Sequence, residues 1–239
     1  MSNFTEKFPF KKHHNITAKQ LALFATSSAI CILANPVQAA NLIANGDFSA
    51  GNTSFSSNYA YNPIDATLEG TYAVDNDPSN VHPFWSLFGD RTSGMGNMMV
   101  INGSETEGRT VWSQTVSVEA NNTYTFSSWI ASLFPVSPAN LLFSINSTLI
   151  GTFAASETPG VWENFNTNWN SGISTSATIA IVDRNTEIIG NDFALDDIVL
   201  NKASTSVSEP ASTMGFVAIG LIFGTHQLRK HRKTTSRQK

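Results

Sequence analysis

The chain has 239 residues, with 14 Lys and Arg against 18 Asp and Glu for a formal net charge of −4, and one cysteine, Cys31. Between Asn41 and Val207 only four basic residues (Arg91, Arg109, Arg184, Lys202) face sixteen acidic ones, a net −12, so this middle repels phosphate backbones and nucleic acid is excluded as a partner. Cys31 lies before it and His82 is its one histidine, which excludes disulfides, thiol chemistry and a multi-histidine zinc site.

In chain order, residues 1–39 read as a signal peptide. Lys7, Lys11, Lys12 and Lys19 form a positive start, Leu21 to Ala34 an apolar stretch, and Val37-Gln38-Ala39 a small-residue cleavage site. About 14 apolar residues are too few for the ~20 that span a bilayer. The expected partners at this end are the Sec translocon and signal peptidase.

Residues 40–202 form one domain-sized unit rich in short alternating runs. Thr110 to Val118 sets Trp112, Gln114, Val116 and Val118 on one face and Val111, Ser113, Thr115 and Ser117 on the other, the period of a strand. Tyr124 to Ala131, Leu141 to Ile145, Thr148 to Phe153, Trp162 to Trp169, Ala177 to Asp183 and Phe193 to Leu200 behave alike, separated by turn clusters such as Glu119-Ala120-Asn121-Asn122. Regular spacing of this kind predicts an all-β sandwich. From Thr53 to Arg91 the alternation is poorer and Pro63, Pro78 and Pro83 interrupt it, which predicts long loops with one or two short strands. In Phe193 to Leu200 the apolar positions are 193 and 195, then 198 and 200; a β-bulge at Asp196-Asp197 restores the inward register.

No serine stands in a G-x-S-x-G elbow, and Gly94-Met95-Gly96-Asn97 precedes a strand, which argues against a dinucleotide loop. Aromatic rings are the candidate ligand platform, because the CH faces of sugars stack on flat apolar surfaces. The candidates are Tyr59, Tyr61, Trp85 and Trp129, while Trp112 and Trp162 read as core.

Residues 203–239 hold the box Val207-Ser208-Glu209-Pro210, a largely apolar stretch 211–228 that reads as one transmembrane helix, and a basic tail 229–239 with Arg229, Lys230, Arg232 and Lys233 as a cytoplasmic stop. This order resembles the PEP-CTERM sorting signal of exopolysaccharide-producing bacteria, with Val207, Glu209 and Pro210 as its box and Ser208 in place of the first proline. The resemblance implies an exosortase as partner, a membrane anchor held at least transiently, and final placement at the cell surface or outside the cell.

Asn41 to Phe48 resembles the opening strand, and Phe193 to Leu200 the closing strand, of jelly-roll, galactose-binding-like and carbohydrate-binding-module-like domains. Met98 to Gly103 and Gly190 to Asp197 are similar to further blocks of secreted proteins with such a domain. The implied fold is a jelly-roll β-sandwich. The implied cofactor is a structural calcium ion with Asp47, Asp196 and Asp197 as ligands; Ser49 stands where many relatives have Glu. The implied function is that of an exported non-catalytic protein of the cell surface or extracellular matrix that binds exopolysaccharide or another glycan. A secreted carbohydrate-active hydrolase or esterase, using some of the sixteen carboxylates, and a purely structural interaction module are the alternatives.

Overall fold

The computed structural model describes residues 40–203; the signal peptide, the box Val207, Glu209 and Pro210, the segment 211–228 and the basic stop Arg229, Lys230, Arg232 and Lys233 lie outside the described residues. The strands are β1 (Ala60–Tyr61), β2 (Thr71–Asp75), β3 (Met98–Ile101), β4 (Thr110–Ser117), β5 (Thr123–Ser132), β6 (Asn140–Ile145), β7 (Thr148–Ala154), β8 (Glu163–Asn170), β9 (Ser176–Asp183) and β10 (Phe193–Lys202). From β4 onward each falls on one of the alternating runs, because β-branched and aromatic side chains fit a pleated surface with one buried face. One 3-10 turn, Pro78–Asn80, is capped by the Asp77 side chain. Among the described residues no helix is long and apolar enough to cross a membrane.

The strands make two sheets, β1-β2-β3-β10-β5-β8 and β4-β9-β6-β7, packed as an all-β sandwich. Between them lie Tyr124, Phe126, Ile130, Leu195, Ile198 and Leu200 from the larger sheet, and Trp112, Leu141, Phe143, Ile145, Ile179 and Ile181 from the smaller. Each large apolar side chain buried here contributes about 1.5–3 kcal/mol. Phe143 stacks on Phe165 with ring centroids 4.1 Å apart, joining the two layers near their β7–β8 side.

The slip of period in β10 is a bulge: its register against β5 shifts between Asp196 and Val199, and Asp197 takes φ 47°. Leu195, Ile198 and Leu200 all stay buried as a result. A second bulge, between Thr110 and Trp112 in β4, turns Val111 inward beside Trp112, where simple alternation sets it on the opposite face.

Asn41 to Phe48 departs from expectation. It forms turns and no strand, with Asn45 and Phe48 at φ 56° and 52°. Asn41 nevertheless joins the last strand. Its side-chain Nδ2 donates to Ile198 O and its Oδ1 accepts from Leu200 N, both at 3.0 Å, and Leu42 N donates to Leu200 O. One amide side chain thus supplies the pairing that a strand backbone supplies elsewhere. Gly46 is required at the crossing, since a Cβ there would collide with Ile198 O.

Candidate functional site

The outer face of the six-stranded sheet is divided into a covered half and an open half. Across β2, β3, β10 and β5 the opposed residues Ala73, Val100, Ala194 and Ala131 form a row of small side chains. The segment between β2 and β3 lies on this row and, with Ala66 and Leu133, builds a second apolar cluster around Val81, Trp85 and Met98. Trp85 is 4% exposed; its Nε1–H donates to Asp192 Oδ2 at 2.9 Å, and His82 stacks on its ring at 4.5 Å. Burial pushes Asp192 up to about 6, against the pull of its bonds from Trp85 and Gly103 N. Farther along, Arg91 N donates to Asp196 Oδ2 and Thr92 Oγ1 to Asp197 Oδ1, each at 2.8 Å. The bulge at Asp196-Asp197 therefore aims its carboxylates at this segment and pins it. Asp196 is fully buried and is pushed up to about 7 by that burial, with Asp197 and Asp90 adding to the rise.

The open half spans β10, β5 and β8. Directly opposed residues of antiparallel strands share a face, so the register gives successive rows: Asn201, Thr125 and Asn168; Val199, Ser127 and Asn166; and Asp196, Trp129 and Asn164. Asn170 lies opposite Thr123 at the far end. Apart from the buried Asp196, this strip projects hydroxyls, amides, one valine and one indole. Thr125 Oγ1 donates to Asn168 Oδ1 at 2.9 Å, and Asn166 Nδ2 to Asn164 Oδ1 at 3.2 Å, so the amides are held in two hydrogen-bonded pairs. Asn166 and Asn168 are exposed, and Trp129 is half-buried with the Arg91 guanidinium carbon 3.9 Å from its ring centroid.

The four aromatic residues named from the sequence do not form one platform. Tyr59 is 5% exposed, belongs to the core and has Arg109 over its ring; burial and nearby Asp183 raise its hydroxyl pKa. Trp85 is equally closed to a ligand, since its edge clamps Asp192 and His82 covers a face. Both drop out as sugar platforms because apolar rings next to a sheet gain more by burial than by exposure. Tyr61 is 43% exposed but leans on Tyr72 at the far edge of the sheet. Trp129 alone of the four lies on the open strip. The β8 asparagines were not singled out in the sequence, yet their signal is there: Asn164-Phe165-Asn166-Thr167-Asn168-Trp169-Asn170 puts an amide at every outward position.

The three proposed calcium ligands are separately engaged. Asp196 accepts from two backbone amides, Arg91 N and Asp197 N; Asp197 accepts from Thr92; Asp47 accepts from Ser49 N and Oγ. A cavity of about 250 Å³ brings Asp47 beside Asp90, with Ser49, Thr92, Ser93, Gly96 and Asn97 completing its wall. Among the described residues no three of His, Cys, Asp and Glu come together as a metal-binding group. The named trio does not fit as a preassembled calcium site, and nothing below is derived from a bound ion.

Two more carboxylates stand out at the end of the sandwich where β3 finishes and β10 begins. Asp183 is pushed up to about 7 by burial; its Oδ1 accepts from Asn140 N and Asn185 N, and its Oδ2 has no partner among the described residues. Glu69 is also raised to about 7 by burial, with Asp192 and Glu105 contributing, and its Oε2 is likewise unpartnered among the described residues.

No family model and no curated protein matches the chain. Solved structures do. The Stig cyclase Fisc from Fischerella sp. TAU, solved with an indole ligand, aligns over 71% of this chain and 100% of its own at 9% identity and TM-score 0.50. The CBM22-1 xylan-binding domain of Xyn10C from Paenibacillus barcinonensis aligns over 71% of this chain and 98% of its own at 11% identity and TM-score 0.47. The C-terminal domain of EclA, a sugar-binding protein, aligns over 38% of this chain and 66% of its own at 17% identity and TM-score 0.36. The likeness is one of fold. Carbohydrate-binding modules thus stand among the structural neighbours, and so does a protein of different activity on the same scaffold.

Proposed function

We propose that this is an exported, non-catalytic protein of the cell surface or extracellular matrix whose sandwich binds a glycan along the open strip of β10, β5 and β8. The observation that carries this reading is the strip itself: a row of outward amides and hydroxyls that ends on one indole. Such groups donate to and accept from sugar hydroxyls, and they leave no charge to be desolvated when the ligand settles. The presence of carbohydrate-binding modules among proteins of the same fold is in keeping with it. Export rests on the signal-peptide pattern of residues 1–39, and delivery to the surface on the PEP-CTERM-like tail, through an exosortase.

A polysaccharide panel tests the reading with full-length protein in detergent. Wild type is expected to retain at least one glycan, and Asn166→Ala and Asn168→Ala to lose most of that retention. A panel with no binder would favour the purely structural module. The rival hydrolase or esterase would rest on half-buried Glu69, whose pKa near 7 suits general acid–base work, with Asp183 raised likewise but buried at the same end of the sandwich. Chromogenic glycosides and esters run beside the panel decide it: turnover abolished by Asp183→Asn or Glu69→Gln would replace the binding reading.

A further inference from the structure

The open strip ends on a guanidinium that, among the described residues, has no hydrogen-bond or ion-pair partner. Arg91 is fixed at its backbone by the bond from its N–H to buried Asp196, and its neighbour Thr92 is tied to Asp197. On its other side Asp90, 6% exposed, closes the turn by accepting from Ser93 N at 3.0 Å and Gly96 N at 2.9 Å. From this fixed point the side chain lies on Trp129, its guanidinium carbon 3.9 Å from the ring centroid. Among the described residues that guanidinium has no hydrogen bond and no ion pair, although the domain holds sixteen carboxylates. The other cations differ. Lys202 pairs with Glu119 at 2.7 Å, and Arg109 donates to Ser104 and Asn58 while lying over Tyr59. Arg184 is exposed, and among the described residues no aromatic ring orients it.

We propose that Arg91, held on Trp129, is the subsite for a carboxylate carried by the glycan, so that the ligand is a largely neutral polysaccharide bearing uronic acid residues. This rests on the reading of the strip as a glycan site. A planar guanidinium presents a fork of donors that matches both oxygens of a carboxylate, and stacking on the indole fixes its rotamer before the ligand arrives. The nearby carboxylates do not take that role: Asp196 faces backbone amides beneath the segment, Asp90 is spent on Ser93 and Gly96, and Asp197 on Thr92. The net −12 of the middle of the chain opposes a densely charged polyanion, which leaves sparse acid groups on a neutral backbone as the chemistry that fits. The amides of Asn164, Asn166 and Asn168 then meet the neutral sugars.

The test compares glucuronoxylan and a uronate-bearing bacterial exopolysaccharide with the same polymers after reduction of their carboxyl groups to alcohols. Full-length wild type and Arg91→Gln are titrated against all four. Wild type is expected to bind at least one native polymer about ten-fold more tightly than its reduced form, with the gap narrowing as salt is raised. Arg91→Gln keeps the backbone N–H that bonds Asp196; it is expected to retain the wild-type Tm and to bind native and reduced forms alike, at the reduced-form level. Equal wild-type affinity for native and reduced polymers overturns the proposal, as does an Arg91→Gln variant that keeps the preference. Tighter binding of reduced polymer by Arg91→Gln than by wild type would also overturn it, making Arg91 a cover on Trp129. Binding of both forms without preference leaves the strip a glycan site, whereas binding of none takes the glycan reading down with the proposal.

Discussion

The two halves of one sheet face were built to opposite ends. Over β2, β3 and β10 the outward residues are Ala73, Val100 and Ala194, and a proline-interrupted segment packs Trp85 on them. Over β5 and β8 the outward residues are Thr125, Ser127, Asn164, Asn166 and Asn168, and they stay open to solvent or half-buried. The difference teaches that side-chain size and polarity at alternate positions decide whether a sheet face becomes core or surface. Strand propensity alone does not.

The comparison breaks most visibly on the covered side. Trp85→Ala removes the centre of the second cluster and leaves Asp192 without its indole donor. It is expected to cost about 3–5 kcal/mol, which for a domain of this size is a fall in Tm of roughly 10 °C or more, read by thermal denaturation of the full-length protein. A loss within the scatter of surface substitutions would mean that the segment is not held by Trp85.

A smaller effect follows from four buried or half-buried acids of the sandwich. Asp183, Glu69 and Asp196 are raised to about 7 and Asp192 to about 6. The folded state therefore binds more protons than the unfolded one between the ordinary carboxylate range and about pH 7, and stability falls as pH rises through that window. Tm is expected to be higher at pH 5 than at pH 8. Asp183→Asn, which keeps an oxygen for Asn140 N and Asn185 N without the buried charge, is expected to flatten part of that slope. A Tm that rises with pH would refute the assignment.

On the open side the thermal effect is expected to be the smallest of all. Asn166→Ala and Asn168→Ala touch exposed amides and should change stability by no more than about 0.5 kcal/mol. Glycan binding, in contrast, should weaken about five-fold for each, the value of one lost hydrogen bond of ~1 kcal/mol. Destabilisation comparable to Trp85→Ala would show that the amide row is structural.

The strands from β4 to β10 and the bulge at Asp196-Asp197 were legible because period-2 alternation, and a slip in it, are local properties. Asn41 to Phe48 was not, since an asparagine amide can replace strand pairing only if Ile198 and Leu200 are beside it, and 157 and 159 residues of separation hide that. The same limit governed the site. Trp129 is readable as an outward residue, but whether Trp85 and Tyr59 face ligand or core depends on which segment lies over them. The asparagine row of β8 is fully local, with an amide at every second position from Asn164 to Asn170. Arg91 is visible only in three dimensions, its place on Trp129 being set by hydrogen bonds that Arg91 N and Thr92 give to Asp196 and Asp197, 105 positions on in the chain.

β10 is the last strand in the chain and sits in the middle of the larger sheet, between β3 and β5. Until it has been made and delivered, β1-β2-β3 and β5-β8 are two fragments with no shared ladder. A chain made from its amino end thus cannot finish this sheet midway; the sheet closes only once β10 is in place, with Asn41 from the start of the domain locking the backbone of Ile198 and Leu200 at its end.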